Sequence, residues 1–198
     1  RGERGWVLGA NSNLPDSISV RWARTVPGHF HARYSAEART YRYIVLNRLG
    51  RSALAAQRAA LIYRPLAVEP MSAAAALLLG EHDFSAFRAA GCQARSPIRR
   101  LYGLTVERRG QQVIIEATAN AFLHHMVRNL VGLLLDVGVG KAPPQWAAEV
   151  LASRDRTRSS PTAPAEGLYF WKVQYPQAFR LPEEAAGPVS AMIPDPPP

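Results

Sequence analysis

The stretch "NAFLHHMVRNLVGLLLDVG", residues 120–138, restricts this chain more than any other. Phe122, Met126, Val127, Leu130, Leu133, Leu134 and Val137 would cover most of a helix, so that helix has to be buried. The pattern predicts a helix over 120–138, with Asn120 as its N-cap and Gly138 just past its end. His124 and His125 sit inside it. His125, Arg128, Asn129, Gly132 and Asp136 recur every three or four residues and share one face. A buried guanidinium is costly unless an anion faces it. Arg128 is therefore expected to meet a carboxylate or phosphate, on a stripe that lines a cleft. The plainer reading is an internal pair with Asp136 or Glu116 that only anchors the fold.

Around this helix the sequence reads as strands separated by isolated helices. Residues 17–26 alternate Ile18, Val20 and Trp22 as a strand would. Residues 38–47 place Arg39, Tyr41, Tyr43 and Val45 on one face of another. Residues 48–69 look irregular, with a short helix at "SALAAQRAAL". A helix is expected over 70–80 and a long loop over 81–97. Residues 98–108 and 112–119 form an antiparallel hairpin. A second helix (143–153) and a last strand (167–176) complete the order. The fold class is α+β, a largely antiparallel mixed sheet with helices packed on one side. Residues 1–176 are expected to form the folded part, and 177–198 a Pro-rich, disordered tail.

The formal charge is +9, and apart from Lys141 and Lys172 every Lys+Arg position is arginine. Arginine binds phosphate bidentately and stacks on bases, so a polyanionic partner such as nucleic acid is favoured. A GC-rich genome would produce a similar bias. Cys92 is the single cysteine, which excludes an internal disulfide and a cysteine zinc site and fits a reducing cytoplasm. No run reaches the ~18 apolar residues of a membrane span, and "RGERGW" is no signal peptide. Since it lacks an initial methionine, the chain is expected to be a fragment.

Two further constellations carry candidates. In "FHARYSAEARTYRYIV", His29 and His31 have H-x-H spacing, but no third ligand supports a metal site. Tyr41 and Tyr43 read either as core aromatics or, with Arg24, Arg33, Arg39, Arg42 and Arg48 nearby, as stacking partners for a nucleobase. "SRDRTRSSPTAPAEGLYFWKV" is either a solvated loop or a phosphate-contacting loop leading to a pocket wall at Leu168. Walker-type, G-x-G-x-x-G, H-E-x-x-H and G-x-S-x-G motifs are absent.

At these stretches the sequence resembles the tRNA pseudouridine synthase A family. "GANSNLPDSISV", "FHARYSAEARTYRYIVLN", "GEHDFSAFRAAGCQARSP", "NAFLHHMVRNLVGLLLDVG" and "TAPAEGLYFWKVQYP" look like that family's segments in the same order, over about residues 5–176. The resemblance implies a pseudouridine-synthase-like fold and a cytoplasmic, homodimeric, cofactor-free isomerase. Its substrate would be uridines 38 to 40 in the anticodon stem-loop of tRNA. By motif it implies Tyr41 stacked on the base, Arg128 paired with a nucleophilic aspartate, and Leu168 lining the pocket. Arg33, Arg39 and His125 join them as substrate-binding candidates.

One departure stands out. The family's aspartate lies in a Gly-Arg-Thr-Asp segment upstream of everything here, and no such segment occurs in the chain. Asp16, Asp83, Asp136, Asp155 and Asp195 sit in other contexts. The chain therefore looks like the C-terminal two-thirds of the enzyme, expected to be inactive alone. The rival readings are a non-catalytic basic RNA-binding module and, on composition only, a ribosome- or DNA-associated protein.

Overall fold

The computed structural model describes residues 2–182, which divide into two compact units. The last residues of the tail, 183–198, lie outside the described ones.

Of the described residues, one unit comprises 2–36 together with 175–182. It opens with α1 (Glu3–Asn11), a helix the sequence reading missed. Two glycines, at 5 and 9, depress helix propensity there, and none of its residues is buried. Its end is closed by side chains, since Ser12 Oγ and Asn13 Nδ2 both donate to the Gly9 carbonyl. The strand expected over 17–26 does not form. Asn11 takes both backbone groups of Val20: Nδ2 donates to Val20 O (2.8 Å) and Val20 N donates to Oδ1 (2.7 Å). A side-chain amide thus occupies the positions a neighbouring strand would need. Phe30 packs on Tyr175 and Phe179, so the tail begins with an ordered 3-10 turn at Gln177–Phe179.

The other unit, Glu37–Gln174, holds a six-stranded sheet. Its strands are β1 (Ala38–Asn47), β2 (Ala60–Ile62), β3 (Gly80–Asp83), β4 (Ile98–Arg109), β5 (Gln112–Ala119) and β6 (Leu168–Gln174). The order is β2-β1-β5-β4-β3. Only β1–β2 is parallel; β6 runs antiparallel to β1 along residues 38–43, and β2 takes the same edge at 45–47. Three helices cover one face: α2 (Val68–Ala76), α3 (Met126–Gly138) and α4 (Trp146–Ser153). Tyr43, Val45, Val113, Ile115 and Ala117 meet them there. Ile44 and Leu46, one residue out of phase, pack on Ala55 and Tyr169 on the opposite face. The α+β architecture, with helices on one side of a mostly antiparallel sheet, is as the sequence implied.

Local boundaries differ. The helix expected within 52–61 is a run of turns leading into β2, and α2 starts two residues early and ends four short. The long loop over 81–97 contains most of β3 and a 3-10 turn that buries Phe84 and Phe87. Most consequential is α3, which begins at Met126 rather than near 120. Asn120 does not cap it. Its Oδ1 accepts from the N–H groups of Arg100 (3.0 Å) and Ala121 (2.8 Å), closing the end of the β4–β5 pair.

Candidate active site

All thirteen residues of α3 are buried except Arg128 and Asp136. Asp136 is held by Lys141 at 2.6 Å, and Glu116 by Arg42 at 2.7 Å. Neither pairs with Arg128, so the internal ion pair considered from sequence does not exist. Among the described residues no carboxylate lies within ion-pair distance of Arg128. Its Nε donates to the carbonyl of Ala163 (2.7 Å), and the Ala163 N–H donates to the Arg128 carbonyl (3.1 Å). One peptide neighbour thus grips the residue at side chain and backbone.

This grip needs the segment 160–164 to lie directly on α3, and Gly132 permits it. A Cβ at Gly132 would overlap the Pro161 carbonyl oxygen, so only a bare backbone fits. The next carbonyl, Pro164 O, accepts from the hydroxyl of Tyr43 (2.8 Å). Burial pushes the Tyr43 phenol well above its ordinary range. Arg128 opposes that shift and Glu166 adds to it.

Tyr41 stands two residues before Tyr43 on β1. Phe122 and Phe170 meet its ring in T-shaped contacts, with centroids 5.2 and 5.3 Å away. Its pKa is raised by burial, with Arg39 opposing, so at neutral pH it is a neutral phenol. Across the β1–β6 pair Leu168 faces Tyr43 and Phe170 faces Tyr41. Directly opposed residues project to the same side, so both flank the tyrosines; Leu168 packs against the core that α3 covers, while Phe170 stays exposed. Gly167 makes this approach possible, since a Cβ there would stand 2.6 Å from Ile44 O and 2.7 Å from the Tyr43 ring.

His125 immediately precedes α3 in the left-handed region (φ 60°), a conformation unusual outside glycine. Its ring lies 4.0 Å from that of His124. Partial desolvation, His124 and Arg128 together lower its pKa, which favours a neutral imidazole. The turn is pinned from the loop after Phe87: His124 N donates to Cys92 Sγ (3.3 Å), and Ala89 N donates to His124 O (3.1 Å). Nothing in the sequence reading anticipated this anchoring.

The structure thus brings Tyr41, Leu168, Arg128, His125 and Arg39 into the 37–174 unit. Arg39 donates from Nη1 to Asn120 O (2.7 Å). Arg33 belongs to the other unit, beside the Tyr34 ring. His31 there spends Nδ1 on the N–H groups of Arg33 and Tyr34. Among the described residues no His, Cys, Asp and Glu cluster could hold a metal, and no helix is long and apolar enough to cross a membrane. The carboxylates of the 37–174 unit's remaining aspartates are engaged locally. Asp83 accepts from Ser85 N and faces Arg154, and Asp155 accepts from Thr157.

The arginines of the loop after α4 do not all face outward. Arg156 turns inward, donating to Ser160 O (2.9 Å), Asn129 Oδ1 (3.1 Å) and Thr162 Oγ1 (3.1 Å). Its guanidinium is committed to the protein, while Arg154 and Arg158 of the same segment are exposed.

The sequence model of the tRNA pseudouridine synthase family matches residues 74–176, a span containing α3, the Arg156 loop and β6. A tRNA pseudouridine synthase A from Methylococcus capsulatus is 53% identical over 185 residues, covering 93% of this chain and 68% of that protein. The chain belongs to the tRNA pseudouridine synthase A family. Proteins of the same name from Salmonella paratyphi B and Salmonella newport are each 51% identical over 189 residues, covering 96% of this chain and 70% of their own length. Coverage this wide takes in both units. Tyr43 links these elements: Leu168 faces it from β6, and its hydroxyl ends on Pro164 O beside the Ala163 carbonyl that holds Arg128.

Proposed function

We propose that this chain is the uridine-handling part of a tRNA pseudouridine synthase acting on positions 38 to 40 of the anticodon stem-loop, as a cytoplasmic, cofactor-free homodimer. The observation that carries the reading is Arg128. It is the one cation on a helix whose other residues, Asp136 apart, are buried, with Nε fixed on Ala163 O and no carboxylate beside it among the described residues. That arrangement suits a guanidinium whose anion is the catalytic aspartate, kept ionised by the opposite charge. The aspartate would come from a Gly-Arg-Thr-Asp segment that these 198 residues do not contain.

In the reaction the C1′–N1 glycosidic bond breaks, the uracil turns and C5 bonds to C1′; the C5 proton is then lost to solvent and the freed N1 takes up a proton, so the product is an isomer of the substrate. Tyr41 supplies an aromatic face for the uracil, held in place by Phe122 and Phe170. Its phenol enters as a neutral hydrogen-bonding group, because burial disfavours the phenolate. Leu168 walls the pocket beside Tyr43. Arg39 and Arg33 contact phosphate, and His125 contributes a neutral imidazole near Arg128.

Tritium release from C5-labelled uridine in tRNA tests this. A polypeptide joining the Gly-Arg-Thr-Asp segment to this chain should release tritium, and the 198 residues alone should not. If the joined polypeptide bound tRNA without releasing tritium, the non-catalytic RNA-binding module would replace this reading.

A further inference from the structure

Arg156 is surrounded by exposed polar residues, yet its guanidinium points into the protein onto three neutral acceptors rather than a carboxylate. Such an arrangement is poorly explained by stability alone, since an apolar side chain of similar volume avoids the desolvation of a cation. It does exploit the rigid fork of arginine, which can hold several acceptors in fixed relative positions. Two of those acceptors, Ser160 O and Thr162 Oγ1, bracket Pro161, whose carbonyl rests on Gly132 of α3. The third, Asn129 Oδ1, belongs to the residue after Arg128 and also accepts from Thr162 Oγ1 (2.7 Å). Asn129 is fully buried and is tied on its other side, Nδ2 to Phe87 O (2.7 Å). One residue beyond Thr162 comes Ala163, which grips Arg128 at Nε and at its carbonyl.

We propose that Arg156 is a positioning residue for Arg128. Its fork locks the 160–162 arch to Asn129, and the arch sets the Ala163 carbonyl that fixes the Arg128 guanidinium. With Nε held there, the two Nη groups are the donors directed at an anion. The catalytic part of this inference rests on the reading of Arg128 given above.

The test uses the full enzyme that contains the nucleophile segment. Arg156→Lys keeps the charge and loses the fork. The Arg128 Hε resonance should lose its exchange protection, and the single-turnover rate should fall roughly 10- to 100-fold, as small misplacements of reacting groups do. Affinity for tRNA should stay within about twofold of wild type, a separation of rate from binding expected for positioning. Thr162→Val, which removes one fork acceptor at similar volume, should move both readouts the same way by less, and serves if Arg156→Lys does not fold. Val150→Ala, a core truncation in α4, supplies a control that lowers melting temperature without changing rate. In an Arg128→Met background, Arg156→Lys should cost no further rate. An unchanged Hε signal with wild-type rate, or a rate loss that adds fully to that of Arg128→Met, overturns the proposal. A wild-type rate for Arg128→Met would instead overturn the function assigned to Arg128, while the Hε signal still decides whether Arg156 positions it.

Discussion

Arg128 and Tyr43 end on adjacent carbonyl groups: the guanidinium Nε on Ala163 O at 2.7 Å and the phenol on Pro164 O at 2.8 Å. A helix and a strand are thereby fastened to the same two residues of a loop, and the candidate site is assembled around that fastening.

Tyr43 should make stability sensitive to alkali. Its folded pKa lies above the ordinary 10.0, chiefly through burial. As pH rises through that ordinary value, the unfolded chain gives up its proton while the folded phenol keeps it. Stability present below pH 10.0 is therefore lost progressively above it. Tyr43→Phe should cost about 0.5–1.5 kcal/mol at neutral pH, from the lost hydrogen bond, and should shallow the alkaline decline. Urea denaturation from pH 7 to 11 measures both. An unchanged alkaline slope would show that Tyr43 does not carry it.

Gly132→Ala should be far more damaging than glycine-to-alanine changes usually are in helices. Alanine normally gains helix propensity, but here the added methyl meets the Pro161 carbonyl, which cannot swing aside as a side chain could. A net loss of about 1–3 kcal/mol is expected, as for overpacked cores, with protection of the Arg128 Hε weakened as the loop lifts. A stabilised Gly132→Ala protein would mean the loop does not sit on α3 as described.

Much of this was legible in the sequence, for physical reasons that also mark its limits. The β4–β5 hairpin and β1 announce themselves as runs of β-forming residues, and α3 by its density of apolar residues. The start of α3 was misplaced because Asn120 has two possible uses for its side chain, and the sheet claims it. α1 and β3 were missed because each is short and rich in glycine or polar residues. Arg128 was conspicuous as a charge on an apolar helix. Its actual partner was not, because a backbone carbonyl such as Ala163 O has no signature in sequence. For the same reason the loop of serines, threonines and arginines reads as either solvated or phosphate-contacting, and neither reading singles out Arg156, whose acceptors lie inside.

Tyr41→Phe in the full enzyme should retain tRNA binding and lose roughly 2- to 10-fold in turnover, the worth of one phenol hydrogen bond of about 0.5–1.5 kcal/mol. Because burial raises the Tyr41 pKa, no inflection from its ionisation should appear in the rate below its ordinary 10.0. A Phe variant with the wild-type single-turnover rate would make Tyr41 a packing residue.

The central claim, that Arg128 serves a catalytic carboxylate, is tested most directly by single-turnover kinetics of Arg128→Met in the enzyme carrying the Gly-Arg-Thr-Asp segment. Methionine keeps the bulk of the stem and removes the charge. Losing a buried partner of an ionised group costs ~3–5 kcal/mol. The rate of pseudouridine formation should therefore fall by roughly 10²–10³-fold or more, with tRNA still bound. Pseudouridine formed at the wild-type rate by Arg128→Met would contradict the claim.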